Sequence, residues 1–268
     1  MRSLQQFWSM RRIGEARVTL VRLGPMRLWL ARAEKEWGFA SEQGEPGAIM
    51  DIAQVPEDVV PDKLEWQNTL FHEAPREFLL RPVTPDRPVV IKPEHAIQIP
   101  PGESGRFFAL LPVFIQVVVV MKKKELVLGT VSSLRPSDTW FGTPYEGDLA
   151  YSLPDRASLD LEALKPLPYQ IVTPFEIQNK SEEFLVFEKL CLRPQYTGLY
   201  SGVRHLWSSV VRIQHEGFFK STHVRYATTQ PDYEEGLMQV AQPLKREDKG
   251  LHRLTFGTSF SRDIIFAK

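Results

Sequence analysis

Histidine is the residue type in this sequence best suited to bind a metal ion or to move a proton near neutral pH. The chain contains His72, His95, His205, His215, His223 and His252. Three of them fall in residues 204–226, where alternating apolar residues predict two strands around a turn at residues 215–217. Neighbouring imidazoles could bind Zn²⁺ or Cu²⁺, but metal sites in sheets usually include a tight His-x-His pair, which this sequence lacks. We therefore expect no metal, and we interpret His205 as a half-buried, hydrogen-bonded residue.

Paired carboxylates are the second group that could do chemistry. Glu34 and Glu36 would share one face of a strand, as glycosidase carboxylates can, but such pairs more often protect a sheet edge. The familiar G-x-S-x-G, Walker, G-x-G-x-x-G, H-E-x-x-H and paired C-x-x-C motifs are missing from the sequence. An enzyme is therefore the less favoured alternative. It would be a hydrolase or sugar-modifying enzyme with a site between two halves of the chain, and its candidate residues are Asp86, Arg87, Glu146, Asp148, His205 and Arg225.

The segment DTWFGTPYEGDLAY, residues 138–151, combines aromatic, acidic and glycine residues. Such a loop could form a binding surface, or it could be a connection that aromatic side chains fix to the protein. We keep both interpretations, and we note a second aromatic and basic tract in residues 203–226. The candidate ligand-binding residues are Trp140, Phe141, Tyr145, Glu146, Asp86, Arg87, His205 and Arg225.

Short strands must position these residues, because strand-like alternation dominates the sequence. Residues 15–37 predict a hairpin whose turn is Gly24-Pro25. Further strands are predicted over residues 76–83, 87–93, 97–99 and, after a short helix at 155–165, through most of the C-terminal part. Residues 42–65 and 134–155 are predicted as irregular or connecting segments. The pattern predicts an all-β fold of two β-sandwich-like halves (immunoglobulin- or jelly-roll-like), residues 1–133 and 134–268, with at most one or two short helices.

The most apolar stretch, residues 107–121, could be a membrane span or a buried strand. As a helix its 15 residues would rise only about 22 Å, which is less than the roughly 30 Å hydrocarbon core of a bilayer. Pro112 and Gln116 interrupt the stretch, and four consecutive valines favour a strand. We therefore expect no transmembrane segment, and we expect Lys122–Lys124 to form a solvated turn before a returning antiparallel strand.

The charge balance limits the classes of partner to expect, and the single cysteine indicates the cellular compartment. Lys and Arg total 33, as do Asp and Glu, so no overall field draws the chain to nucleic acid, and we expect none as a partner. Residues 1–33 hold seven arginines against one acid, Glu15, which leaves a peripheral membrane partner as a further alternative. Cys191 is the one cysteine and cannot form an intrachain disulfide, which favours the cytoplasm. We expect no cofactor, and a homo-oligomer is possible.

Five segments of the sequence, taken in order along the chain, resemble a known family. They are LWLARAEKEWGFAS (28–41), RPVTPDRPVVIKPE (81–94), IPPGESGRFFALLPVFIQV (99–117), TWFGTPYEGDLAYS (139–152) and PFEIQNKSEEFLVFEKLCLRP (174–194). Together they resemble a prokaryotic family of uncharacterised proteins, domain of unknown function 432, over about residues 15–265. The resemblance implies a β-rich protein and transfers no activity. The leading hypothesis is a non-enzymatic binding or scaffold module for a protein or small-molecule ligand, with a contact surface around residues 139–151.

Overall fold

A computed structural model describes residues 4–14, 18–122, 124–142, 145, 147–153, 157–217, 222–246 and 256–257, the last two by their backbone. Strands dominate this part of the chain. Its two α-helices, α1 (Leu4–Phe7) and α2 (Leu161–Leu164), are four residues long, and two 3-10 turns lie at Glu57–Val59 and Pro194–Tyr196. The predicted all-β fold class with one or two short helices is confirmed.

The first strands of the chain end at Ser132. They are β1 (Arg11–Arg12), β2 (Val18–Leu23), β3 (Met26–Arg32), β4 (Glu36–Gln43), β5 (Met50–Val55), β6 (Gln67–Leu70), β7 (Glu77–Val83), β8 (Val89–Ile91), β9 (Ile97–Ile99), β10 (Ser104–Pro112), β11 (Phe114–Met121) and β12 (Lys124–Ser132). The later strands are β13 (Ser137–Gly142), β14 (Gly147–Ser152), β15 (Ala157–Ser158), β16 (Gln170–Asn179), β17 (Leu185–Phe187), β18 (Lys189–Leu192), β19 (Leu199–Ser201), β20 (Leu206–Ser208), β21 (Val211–His215), β22 (His223–Tyr226), β23 (Met238–Ala241) and β24 (Phe256–Gly257).

These strands form several sheets, and their neighbours are not always consecutive in sequence. Two antiparallel sheets have the orders β5-β2-β3-β4-β6 and β1-β7-β11-β12. A third sheet has eight strands: the order β15-β10-β16-β20-β19-β23, with β21 pairing β16 and β22 pairing β21. The order β13-β14-β8-β18-β24 forms a five-stranded mixed sheet, and β9 pairs with β17. The sheets are sandwich-like, because their apolar faces pack on a common core.

One large apolar core connects the sheets. Trp37 of β4 contacts Phe78 of β7, with ring centroids 5.7 Å apart. Phe107 of β10 stacks on Phe175 of β16 with centroids 4.5 Å apart, and both rings are buried in the same core. The division into residues 1–133 and 134–268 stays a prediction, and the pairing of β10 with β16 joins strands from the two proposed halves.

The predicted hairpin around Gly24-Pro25 is present as β2 and β3, with Leu23 opposite Met26. Gly24 has a φ of +58°, a left-handed conformation that glycine adopts without steric cost. A Cβ at this position would lie 2.2 Å from the ring of Tyr169. The turn therefore requires glycine for two reasons, its backbone conformation and its packing.

The apolar stretch of residues 107–121 forms the end of β10 and the whole of β11. Strand β11 lies between β7 and β12 in its sheet, and Val117, Val118 and Val119 are fully buried. The expected return strand is β12, and Lys124 is already part of it, opposite Met121. None of the helices in the described part of the chain has the length and apolarity needed to cross a bilayer.

Three local predictions were wrong. Residues 42–65 contain β5, which pairs with β2 along its whole length. Residues 134–155 contain the β13–β14 hairpin in place of a long connection. The predicted helix at 155–165 is reduced to α2, because Asp160 caps its start by accepting a hydrogen bond from the Glu162 N–H. Lys165, with a φ of +46°, ends the helix.

Candidate functional site

The β13–β14 hairpin carries the aromatic residues that the sequence singled out. In its register Trp140 lies opposite Leu149, and Asp138 lies opposite Tyr151. Directly opposite residues of an antiparallel pair project to the same side, and residues two apart along a strand do so as well. These four side chains therefore share one face of the hairpin, which we call the hairpin face.

The hairpin face exposes apolar side chains near the hairpin tip. Trp140 is 53% exposed, Leu149 is 47% exposed and Tyr145, in the connection, is 95% exposed. The indole of Trp140 lies against the backbone of Gly147 on the neighbouring strand, where an added Cβ would come within 2.4 Å of Nε1. Glycine at 147 therefore lets the large ring lie across the hairpin, and a substantial apolar surface faces solvent.

A polar cluster continues the hairpin face at its other end. The Tyr151 hydroxyl donates a hydrogen bond of 2.9 Å to Oδ1 of Asp86. Nη1 of Arg87 bonds Oδ1 of Asp138 at 2.9 Å, and the Arg87 guanidinium lies over the Tyr151 ring, 5.3 Å from its centroid. Burial, together with the hydrogen bond to Asp86, raises the pKa of Tyr151 to about 12. The phenol thus stays protonated at neutral pH and holds the turn before β8 against the hairpin.

A groove of about 560 Å³ adjoins this cluster. Its lining comes from strands β4, β6, β11, β12, β13 and β14 and from the segments before β8 and β13. It includes Phe39, Gln43, Phe114, Thr130, Arg87, Arg135 and Tyr151. Arg135 is exposed, and no acidic side chain in the described part of the chain pairs with it. The two carboxylates of the lining, Glu42 and Asp138, pair with Arg27 and Arg87. The groove therefore offers the guanidinium of Arg135, hydroxyl and amide groups and an aromatic wall to a ligand.

The opposite face of the hairpin is buried. Phe141 is 7% exposed and packs with Val90, Ala150 and Cys191. Asp148, which lies opposite Phe141, forms an ion pair with Arg193. Phe141 therefore fixes the hairpin to its sheet, and its ring is not part of the hairpin face.

The remaining predicted residues lie elsewhere. His205 precedes β20 and packs edge-on against Trp207, with ring centroids 5.8 Å apart, and burial lowers its pKa. Arg225 lies on β22 of the eight-stranded sheet. Glu146 falls outside the described residues. The structure thus places Trp140 on the same face of the hairpin as Asp138 and Tyr151, which contact Arg87 and Asp86. It places Tyr145 at the tip and does not gather the candidate set for a hydrolase into one site.

The predicted list of ligand-binding residues left out four residues of this surface, Asp138, Leu149, Tyr151 and Arg135, although the first three lie in the segment 138–151 that the sequence singled out. A signal for the hairpin was present, because SDTWFG and GDLAYS alternate and flank a short segment with Pro and Gly. The high content of turn-forming residues concealed that signal. Asp138 pairs with Arg87, which is distant in sequence and precedes β8. No local sequence pattern shows such a tertiary contact.

Four of the seven N-terminal arginines are paired or buried, and Arg2 and Arg17 lie outside the described residues. Arg22 pairs with Asp51 at 2.5 Å, and Arg12 pairs with Glu77 at 2.8 Å. Arg32 is buried, and its guanidinium donates to the carbonyl of Ala74. These contacts neutralise or bury part of the positive charge that suggested a membrane partner. Among the described residues, no group of three or more His, Cys, Asp or Glu side chains is placed to hold a metal ion.

Comparisons with known proteins identify the family of the chain but assign it no function. The model of a family described as "Protein of unknown function (DUF432)" matches residues 7–261. No curated protein and no solved structure matches the chain. The functional argument therefore depends on the geometry of the chain itself.

Proposed function

The chain belongs to the DUF432 family of proteins of unknown function, and we propose that it is a non-enzymatic binding module that uses the hairpin face. The observation that carries the proposal is the exposure of Trp140, Leu149 and Tyr145 along one hairpin, beside a groove of about 560 Å³. Exposed aromatic side chains on a rigid element are typical anchors for a partner. The module works in a reducing compartment such as the cytoplasm, since its one cysteine is a buried free thiol.

We commit to one class of occupant, an extended segment of a partner protein. Strand β13 is at the end of its sheet and pairs only with β14 among the described strands. An edge strand presents backbone N–H and C=O groups to which an extended segment can add as a further strand. In that position the alternate side chains of the segment would lie next to Trp140, on the same face of the sheet as Leu149.

Charge and polarity favour particular side chains in that segment. An apolar side chain would cover Trp140, and a carboxylate nearby would pair with Arg135, which has no acidic partner in the described part of the chain. The hydroxyl and amide groups of Thr130 and Gln43 line the same groove. The proposed partner is therefore an extended segment that alternates apolar and polar residues and carries an acid.

A selection from displayed random short peptides on the purified full chain tests this proposal. We expect the enriched peptides to alternate apolar and polar residues, to contain an acid and to bind with a measurable dissociation constant in fluorescence anisotropy. Trp140→Ala should weaken binding at least about tenfold, as loss of an interface anchor does. Leu159→Ala, which removes another exposed apolar side chain (66% exposed), is the matched control and should bind as the wild type does.

Backbone methylation separates strand addition from docking by side chains alone. Two methylated versions of the best peptide should be compared, one methylated at the odd-numbered backbone amides and one at the even-numbered amides. One version should lose binding and the other should keep it, because only one set of N–H groups faces β13. If no peptide is enriched, or if the enriched peptides bind Trp140→Ala as tightly as the wild type, the proposal is wrong.

A further inference from the structure

A second concavity lies on a different sheet from the hairpin face. It has a volume of about 650 Å³ and is lined by residues of four neighbouring strands, β10, β16, β21 and β22. We call it the sheet groove. Its walls are side chains on the face opposite to the core, because Phe107, Phe175, Val211 and Val224, one residue away along each strand, are buried in the core.

Two rows of side chains cross the sheet groove in register. The first row is charged: Arg106 lies opposite Glu176, Glu176 lies beside Arg212, and Arg212 lies opposite Arg225. The second row, two residues away on each strand, carries hydrogen-bonding groups. Its members are Ser104, Gln178, Gln214 and His223, which pair in the same order. The groove thus has a charged side and a polar side.

The charged row is unbalanced. Three guanidinium groups face one carboxylate, an excess of two positive charges in the row. Nε of Arg212 lies 2.9 Å from Oε2 of Glu176, and Nη2 of Arg106 lies 4.0 Å from Oε1 of the same carboxylate. No acidic side chain in the described part of the chain pairs with Arg225. Glu176 is therefore already shared by two arginines, and no other described carboxylate compensates the charge of Arg225.

The position of Arg225 is unfavourable for the unliganded sheet. It lies directly opposite Arg212 on the neighbouring antiparallel strand, and like charges in that relation destabilise a sheet. A bound oxyanion would remove the repulsion, because guanidinium groups bind phosphate and carboxylate oxygens through two parallel hydrogen bonds. The Arg212–Arg225 pair therefore lowers the stability of the free protein, and it would hold an anion between its two guanidinium groups.

An aromatic wall bounds the charged row at its other end. The guanidinium of Arg106 lies over the ring of Tyr233, 5.2 Å from its centroid. Tyr233 in turn stacks on Trp207, with an interplanar angle of 17° and centroids 5.4 Å apart. These contacts hold the Arg106 guanidinium against the aromatic rings. The two arginines left to hold an anion are therefore Arg212 and Arg225, which lie on adjacent strands.

We propose that the sheet groove binds a small polar molecule that carries a phosphate or carboxylate oxyanion. Arg212 and Arg225 hold the oxyanion, and Gln178, Gln214 and His223 hydrogen-bond the polar body of the ligand. The site is independent of the hairpin face, since the two lie on different sheets and share no residue.

Isothermal titration of the full chain with pyrophosphate, inorganic phosphate and malonate at low ionic strength tests the proposal. We expect saturable binding of at least one of these oxyanions, and weaker binding when salt is added, because salt screens the attraction. Tighter binding of pyrophosphate than of malonate would identify the ligand as a phosphate. The reverse order would identify it as a carboxylate.

The variant Arg225→Gln distinguishes a binding role from a structural one. We expect it to weaken oxyanion binding at least about tenfold, while its urea midpoint without ligand equals or exceeds that of the wild type. Arg204→Gln, at an exposed position outside the groove, is the control and should keep the wild-type affinity. Wild-type affinity in Arg225→Gln, or no saturable binding of any of the three anions, would overturn the proposal.

Discussion

The indole Nε1 of Trp207 donates a hydrogen bond of 2.8 Å to Oε2 of Glu234. The same carboxylate accepts the backbone N–H of Arg204 at 2.8 Å and that of His205 at 3.3 Å. Burial opposes ionisation of Glu234, but the hydrogen bonds from Trp207 and from the backbone together lower its pKa. One charged side chain from a loop thus fixes the turn that leads into β20.

Glu234→Ala should destabilise the protein by about 2 kcal/mol, because it leaves a buried indole N–H and two backbone donors without their acceptor. Equilibrium unfolding in urea, followed by tryptophan fluorescence, measures the change. Glu235→Ala, at the exposed neighbouring position, should change stability by less than about 0.5 kcal/mol. Equal effects of the two substitutions would show that the Glu234 carboxylate does not support the turn.

Gly24→Ala and Gly102→Ala separate backbone strain from steric overlap. Both glycines have positive φ, +58° and +76°, so each alanine should cost about 1 kcal/mol of backbone energy. Only at Gly24 would the new Cβ overlap a neighbour, the Tyr169 ring. We expect Gly24→Ala to lose at least about 1 kcal/mol more than Gly102→Ala in urea unfolding. Equal losses would mean that the Tyr169 ring moves aside without cost.

The two asparagines of the chain make a matched pair. Asn179 is fully buried, and its Nδ2 donates to the carbonyls of Ile99 at 2.9 Å and Glu183 at 2.8 Å. Asn179→Ala should therefore cost roughly 3 kcal/mol or more, since it leaves buried carbonyl groups unpaired. Asn68→Ala, on the exposed edge strand β6, should cost less than about 0.5 kcal/mol. Thermal or urea unfolding of both variants checks the contrast, which fails if their midpoints coincide.

Strands with local signals could be predicted from the sequence. The β2–β3 hairpin combines alternation with a Gly-Pro turn, and β11 is a continuous apolar run, so both were confirmed. Strand β5 was not predicted because each of its faces carries two apolar residues and one polar residue, so its sequence, MDIAQV, lacks the alternation that marks a strand. The parallel pairing of β16 with β20 and β21 could not be predicted, since a strand pattern does not specify its partner.

In the candidate sites too, features with a local sequence signal could be predicted and features that depend on strand pairing could not. Trp140 and Tyr145 were singled out from composition alone, and both are exposed. The Arg212–Arg225 pair depends on the register of β21 and β22, and a shift of one residue would place these side chains on the core side. Residue type indicated which side chains could contact a ligand, while register determined which of them lie together.

Stability should fall below about pH 6.5, partly because of His215. Burial lowers the pKa of His215 from its ordinary value of 6.5, so the folded state holds it neutral while the unfolded chain takes up a proton. Its contribution is fully present above pH 6.5 and is lost as the pH falls through the lowered pKa. His215→Gln should reduce the slope of unfolding free energy against pH between about pH 7 and about pH 5. A His215→Gln slope equal to that of the wild type would contradict the assignment.

The thiol of Cys191 reports on the two faces of the β13–β14 hairpin. Burial raises its pKa to about 12, so in the folded protein it should react very slowly with a disulfide reagent and react fully in urea. Phe141→Ala opens the cluster that covers Cys191 and should accelerate labelling about a hundredfold, as a loss of about 3 kcal/mol implies. Trp140→Ala removes a ring from the opposite face and should leave the labelling rate close to that of the wild type. If Trp140→Ala accelerates labelling as much as Phe141→Ala does, the assignment of the two rings to opposite faces is wrong.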